Sequence, residues 1–362
     1  MNPGFLEFLN AAPEDRRDVF LGAARRIGTP AHNVEKDFWA CWTLDALFNG
    51  LPEGHPRLLF KGGTSLSKAY SLISRFSEDI DVTVFRDDIG YAASVEELEA
   101  LSRKKRQASL DAIKAACRDY IHDTLFPQLG ILVRAALSAA GIDSHPASMV
   151  VDDQDPDGHT LLFWYPSVTA PADTYIRPAV KIESGAKSAL EPHCTVAIRP
   201  DVSKEVPGIS IEVANVRTVL PSRTFWDKVV ILHGLRRWHE NRGVLRSQGQ
   251  RVSRHYYDVH CMMRSGAVAG AIDDHVLASD CVRHARMFFG SPDLGLDTAA
   301  PGTFVLGPTG NMLADLRRDY ERMAGMIIGE VPGFDEVIES VHKLEARVNA
   351  SAPGCPHRNQ GP

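Results

Sequence analysis

The chain has 362 residues, of which 44% are hydrophobic and 24% charged; these are the proportions of an ordinary globular protein and exclude disordered, fibrous and collagen-like classes. At roughly 100 to 200 residues per domain the length allows two or three lobes and is too great for a single small binding module. Lys and Arg number 40 against 46 Asp and Glu, a net charge of -6, so no global field draws the chain to nucleic acid or an anionic membrane, and any such contact must be local.

No apolar run approaches the roughly 18 to 20 residues needed to span a bilayer. Met1 to Asp18 mixes Pro, Glu, Asp and Arg where a signal peptide would be apolar. The expectation is a cytoplasmic protein with no membrane partner. The cysteines (Cys41, Cys117, Cys194, Cys261, Cys281, Cys355) are scattered without a C-x-x-C pair, which fits reduced thiols better than a disulfide framework or a zinc site.

In chain order, Pro13 to Ile27 opens with Pro-Glu-Asp and predicts a helix, as does Asn33 to Phe48 with Val34, Phe38, Cys41 and Trp42 at helical spacing. Arg57 to Lys61 is a short apolar run stopped by Gly62-Gly63; a helix over Ser65 to Ser74 and a strand over Asp79 to Phe85 follow. Ser94 to Ala140 is largely helical, with a kink or break at Pro127. Strands are expected over Thr160 to Tyr165, Tyr175 to Ile182, Thr195 to Ile198 and Ile209 to Val216, between turns such as Asp152-Asp-Gln-Asp-Pro-Asp-Gly158. Beyond Leu220-Pro221 the pattern returns to helices, over Arg223 to His239, Arg254 to Arg264, Asp273 to Phe288, Met312 to Ile328 and Phe334 to Asn349. Ser351 to Pro362 reads as a flexible tail.

The chemistry concentrates in Lys61-Gly-Gly-Thr-Ser-Leu-Ser-Lys68 and Ser77-Glu-Asp-Ile-Asp-Val82. Side chains at i and i+2 of a strand share a face, so Asp79 and Asp81 point together while Ile80, Val82 and Val84 face the core. Two adjacent anions repel unless cations sit between them, and Mg2+ prefers oxygen ligands together with water and substrate phosphate. Paired glycines let a backbone approach a phosphate, and a helix N-terminus offers it unpaired N–H groups. Either half alone is an ordinary turn or cap. Together, sixteen residues apart from Gly63 to Asp79 with a helix between them, they predict a metal-nucleotide site. It is not a P-loop, because Ser67 stands where the glycine before the P-loop lysine would be.

The Gly-Gly-Thr-Ser-Leu-Ser-Lys and Ser-Glu-Asp-Ile-Asp runs resemble the h-G-[GS] and D-x-D signature of the DNA polymerase β-like nucleotidyltransferases. Their wording is similar to that of the AbiEii/AbiGii and MenT-like toxins. Glu35-Lys-Asp-Phe-Trp39, Val180-Lys-Ile-Glu183, Leu220-Pro-Ser-Arg-Thr-Phe-Trp-Asp-Lys228, Arg254-His-Tyr-Tyr-Asp258 and Asp319-Tyr320 extend the resemblance from about Val34 to Asn349. It implies an α/β (α+β) protein. A polymerase β-like mixed-sheet lobe would occupy 1–217, a helical lobe 218–350 and the tail 351–362, with the active cleft between the lobes. The implied activity is that of a nucleotidyltransferase toxin of a toxin–antitoxin or phage-defence system, with NTP as substrate, Mg2+ (two ions) as cofactor and a cognate antitoxin as partner. RNA is the implied acceptor, the tRNA 3' end first. Transfer to a protein or small molecule, and a catalytically silent antitoxin-binding protein, are the alternatives.

Carried over residue by residue, the resemblance assigns Gly62, Gly63, Ser65, Lys68 and Ser77 to nucleotide binding and Asp79 and Asp81 to the metal. It implies a third carboxylate from a neighbouring strand, able both to ligate and to accept a proton; Glu183 is preferred and Glu212 competes. Lys228 would neutralise triphosphate charge, and Asp258 would orient it or an incoming base. Between those two motifs, Arg236, Arg237, Arg242, Arg246 and Arg251 form a basic cluster with Trp238 available for stacking. It can contact RNA phosphates or dock on the protein's own acidic surface. Arg103-Lys-Lys-Arg106 reads as a solvated helix face, and His233, His255 and His260 as core or hydrogen-bonding residues.

Overall fold

A computed structural model describes residues 1–77, 79–144, 147–169, 178–246 and 251–350. The expected tail, Cys355 and the first residues of the strand expected from Tyr175 lie outside the described residues. The chain divides into two compact units, Met1–Leu220 and Pro221–Pro362.

The first unit opens with α1 (Pro3–Leu9), α2 (Pro13–Ile27) and α3 (Ala31–Asp45). Sequence reasoning missed α1, whose signal is local: Asn2 accepts the Gly4 N–H at 2.7 Å and Pro3 fills the first helical position. Then come β1 (Leu58–Lys61), α4 (Gly62–Lys68) and β2 (Asp79–Val84). The helical stretch that follows is broken into α5 (Val95–Ala100), α6 (Arg103–Tyr120) and α7 (Phe126–Ala139), with a wide π turn over Ile121–Leu125 just ahead of Pro127. Arg106 at the start of α6 donates to the Leu98, Glu99 and Leu101 carbonyls, so it ties down the end of α5.

The remaining strands are β3 (Ser148–Val151), β4 (Thr160–Trp164), β5 (Ala179–Gly185), β6 (His193–Ile198) and β7 (Val213–Val219). β3 was not expected from sequence; it is a four-residue edge strand. β7 starts later than expected because Ile209 turns back onto the Val206 carbonyl and the Glu212 carbonyl is held by Asn2. Among the described residues seven strands form one mixed sheet in the order β3-β4-β5-β2-β1-β7-β6. β1 and β2 are antiparallel, while β5 beside β2 and β7 beside β1 run parallel to them. This confirms the α/β class with a mixed sheet.

One face of this sheet is dry. Ile80, Val82 and Val84 of β2 and Val180 and Ile182 of β5 are all buried. Trp39 and Trp42 of α3 pack on Phe163 of β4 with ring centroids 5.6 and 5.5 Å apart. Because strand side chains alternate, burying that face turns Asp79, Asp81, Lys181 and Glu183 to the other.

The second unit is helical: α8 (Pro221–Arg242), α9 (Ser253–Arg264), α10 (His275–Phe289), α11 (Asn311–Met323) and α12 (Phe334–Ala350). Its core includes Phe225, Trp226, Tyr256, Met262, Leu316 and Val341. His233, fully buried, donates from Nε2 to the Gly295 carbonyl at 3.1 Å and accepts the Val305 N–H on Nδ1 at 3.2 Å. That arrangement needs the neutral ring, and burial lowers its pKa below 6.5. The unfolded chain therefore takes up this proton first, so His233's contribution is complete above about pH 6.5 and is lost as pH falls through and below that value. Urea midpoints should drop between about pH 7.5 and about pH 5.5. The drop should shrink in His233→Gln; an unchanged drop would assign it elsewhere.

Candidate functional site

The site begins with the glycine turn. Gly62 has φ +80°, and a Cβ there would lie 2.1 Å from Asp81 Oδ2. Only glycine lets the backbone turn lie against that carboxylate. At Gly63 a Cβ would fall 2.3 Å from the Arg75 guanidinium and 3.3 Å from Ser77 Oγ. The two glycines therefore serve two different close approaches.

α4 starts at Gly62 rather than at Ser65 and has seven residues. So short a helix contributes little macrodipole, which corrects the weight placed on its N-terminus. Thr64 donates its hydroxyl to the Asp79 carbonyl, so the 2.8 Å contact between Thr64 and Ser77 hydroxyls is donated by Ser77. Thr64 and Ser77 thus lock α4 to the start of β2. Ser65, expected at the phosphate, is fully buried and donates its hydroxyl back to the Gly62 carbonyl at 2.9 Å. Its side chain closes the turn.

Lys68 also needs correction. Its ammonium lies 2.6 Å from Asp37 Oδ1 and 2.9 Å from Asp201 Oδ1, with 14% of the side chain exposed. Asp37 in turn accepts the Asp201 N–H at 2.7 Å. Burial lifts the Asp37 carboxyl to about 6 even with Lys68 beside it. Burial also opposes the charge on Lys68, but Asp37 and Asp201 outweigh it and hold the ammonium above its ordinary pKa. Lys68 is consumed by the two carboxylates and binds α4 to α3, so it does not present its charge to phosphate.

Across the sheet the register brings the acids together. Asp79 stands opposite Lys181 and Asp81 opposite Glu183 on parallel neighbours, while Lys61 of β1 stands opposite Asp81. Lys61 Nζ approaches Asp81 Oδ1 to 3.8 Å, and Lys181 Nζ approaches Glu183 Oε1 to 2.5 Å. Burial works against the Lys181 charge, but Glu183 with Asp79 and Asp152 overrides it and raises the lysine's pKa. Glu212 is placed elsewhere: it precedes β7 and pairs with Arg199 at 2.7 Å. Of the two candidates for the third carboxylate, only Glu183 shares a face and a register with Asp81.

Among the described residues no group of three or more His, Cys, Asp or Glu side chains is drawn together closely enough to hold a metal ion. The donors at hand are carboxylate oxygens on one half-exposed face. That set suits a hard cation that completes its shell with water and substrate oxygens, as Mg2+ does.

In the second unit Lys228 Nζ lies 2.8 Å from Asp258 Oδ2, and both side chains are buried. The intervening segment between their motifs does not separate them. The arginine cluster is less free than its sequence suggests. Arg236 and Arg237 both pair with Glu240, at 2.8 and 3.0 Å; Arg242 pairs with Asp293 at 2.6 Å, and Arg251 approaches Asp319 at 3.7 Å. Arg246 stacks over Trp238, 5.3 Å from the ring centroid. Glu240 on the same helix, Asp293 and Asp319 of α11 pair with this cluster, so it docks on the protein's own acidic groups.

Sequence reasoning left out four residues of this site: Lys61, Thr64, Arg75 and Lys181. Each lies inside or beside a quoted motif, but its role depends on cross-strand register or on the folded-back turn, which spacing along the chain does not encode. Glu35, quoted for its resemblance, accepts the Val168 and Thr169 N–H groups at 2.7 and 3.0 Å and so anchors the chain after β4.

No helix among the described residues is long and apolar enough to cross a membrane. No curated protein matches the sequence. Among solved structures, MenT4, a nucleotidyltransferase toxin from Mycobacterium tuberculosis H37Rv, is similar at 16% identity and a TM-score of 0.35, over 92% of this chain and 98% of that one. At that score the likeness is loose, and the family rests on sequence. Residues 45–340 match the family described as nucleotidyl transferase AbiEii toxin, type IV TA system. With the greater part of the chain inside that match, this protein belongs to the AbiEii nucleotidyltransferase toxins of type IV toxin–antitoxin systems.

Proposed function

We propose that the protein transfers a nucleoside monophosphate from an NTP to an acceptor hydroxyl, releasing pyrophosphate, and that the acceptor is the 3' end of a tRNA. The observation that carries the transfer is the shared face of Asp79, Asp81 and Glu183 beside the Gly62 turn. Asp79 and Asp81 would hold two Mg2+ ions, with Glu183 assisting. Bound there, such ions make an acceptor hydroxyl more acidic and neutralise a departing phosphate. Gly62 and Gly63 keep the backbone low beneath the nucleotide, and Thr64 and Ser77 fix that turn to the metal strand. Glu183 offers a carboxylate oxygen to the proton leaving the acceptor. Lys228 and Asp258, paired and buried within the second unit, are the further residues assigned to the transfer. A cognate antitoxin is the expected protein partner. RNA as acceptor is supported by the motif order alone, since the arginine cluster is engaged within the protein.

Incubating the protein with each labelled NTP, Mg2+ and total RNA tests this directly. Label should enter RNA with wild type and disappear with Asp79→Ala. Label on protein only would move the acceptor to the protein alternative, and no label with any nucleotide would reject the transfer. Host growth gives a second readout: Asp79→Ala should relieve any slowing that wild type causes.

A further inference from the structure

The carboxylate face carries its own cations, and one of them is placed to compete with a metal. Lys181 and Glu183 are two residues apart on β5, so they share the face that holds Asp79 and Asp81, and the parallel register sets Lys181 against Asp79 and Glu183 against Asp81. On the other side of β5 the register partners are Leu162 and Thr160, which carry no charge. Lys181 Nζ sits 2.5 Å from Glu183 Oε1, whereas Lys61 holds Asp81 only at 3.8 Å. Three carboxylates, Asp79, Asp81 and Glu183, thus share this face with two ammonium groups, Lys61 and Lys181. Without the lysines, three adjacent anions would repel one another strongly.

We propose that Lys181 is a displaceable counter-ion of the metal face: it occupies Glu183 while no divalent cation is bound, yields Glu183 when one arrives, and then turns to the triphosphate. The proposal rests on the metal-nucleotide reading above and deepens it. An ammonium 2.5 Å from Glu183 Oε1 repels a dication that approaches the same carboxylate, so the two cations compete for it. A lysine suits this exchange. Its charge is a point at the end of a flexible stem, with 34% of the side chain exposed, whereas an arginine fork would lock the carboxylate. Once released, Lys181 remains on the face that the phosphates must approach and adds a positive charge there.

The test measures Mn2+ binding to the full-length protein without nucleotide, by electron paramagnetic resonance. Wild type, Lys181→Met, Lys181→Gln, Lys181→Arg and Asp79→Ala are compared, with urea unfolding as a check on folding. Removing the competing cation should tighten Mn2+ binding about fivefold in both Lys181→Met and Lys181→Gln, the worth of a partly exposed ion pair. The same variants should raise the KM for NTP while changing kcat less, and Lys181→Arg should not tighten Mn2+ binding. A purely structural lysine would lower the unfolding midpoint and leave Mn2+ affinity unchanged or weaker, and that result overturns the proposal. If Mn2+ binds wild type and is lost in Asp79→Ala while Lys181→Met binds no tighter, this inference falls and the metal reading stands. If wild type binds no Mn2+, both fall.

Discussion

Asp81→Asn should lower nucleotidyl transfer by about a thousandfold while the protein stays folded. The substitution keeps the size of the side chain, so the group packed against Gly62 persists and the turn is not released. It removes the charge. Charge stabilisation of several kcal/mol around the transferring phosphate depends on carboxylates that hold a dication, and at about 1.4 kcal/mol per factor of ten this amounts to about three decades. The loosely held Lys61, at 3.8 Å, loses little. Rate of label incorporation and urea midpoint, measured on the same preparation, separate the two effects. A variant that keeps most of its rate would remove Asp81 from the chemistry, and one that unfolds would assign it a packing role.

The second large effect is expected at Asp258. Replacing it with Ala strips the buried Lys228 ammonium of the carboxylate 2.8 Å away. A buried charge that loses its partner costs about 3 kcal/mol or more. Replacing both members with apolar residues of similar volume, as in Lys228→Met with Asp258→Leu, should recover most of that loss, because such pairs contribute little beyond an apolar equivalent. The double variant then decides what the pair is for. Restored stability with transfer still lost supports a part for the pair in the transfer itself. Restored stability together with restored transfer would make the pair purely structural.

These two sites show how far the sequence could be read. The strand bearing Asp79 and Asp81 is visible in the i, i+2 pattern, because one dry face forces alternation. Helix α12 is visible for a similar reason, since Phe334, Val337, Ile338, Val341, Leu344 and Val348 make one buried stripe. The choice of Glu183 over Glu212 is different. Both sit in apolar-flanked runs, and only the pairing of β5 beside β2, across nearly a hundred residues of chain, separates them. The same limit explains Lys68 and the arginines. Local sequence shows a cation beside a phosphate-type turn or an unbalanced basic stretch, while the neutralising partners Asp37, Asp201, Asp293 and Asp319 come from remote positions. Ser65 failed for a shorter-range reason: its hydroxyl is satisfied three residues back, at Gly62.

The Asp37–Lys68–Asp201 bridge bears on where this protein can be cut. The family match begins at residue 45, downstream of Asp37 and of most of α3. A fragment trimmed to that boundary would take away the nearest of the two anions around a lysine that lies at the end of the glycine-turn helix. It would also remove Trp39 and Trp42 from the dry side of the sheet. An excised piece meant to keep the glycine turn in place should therefore start upstream of α3.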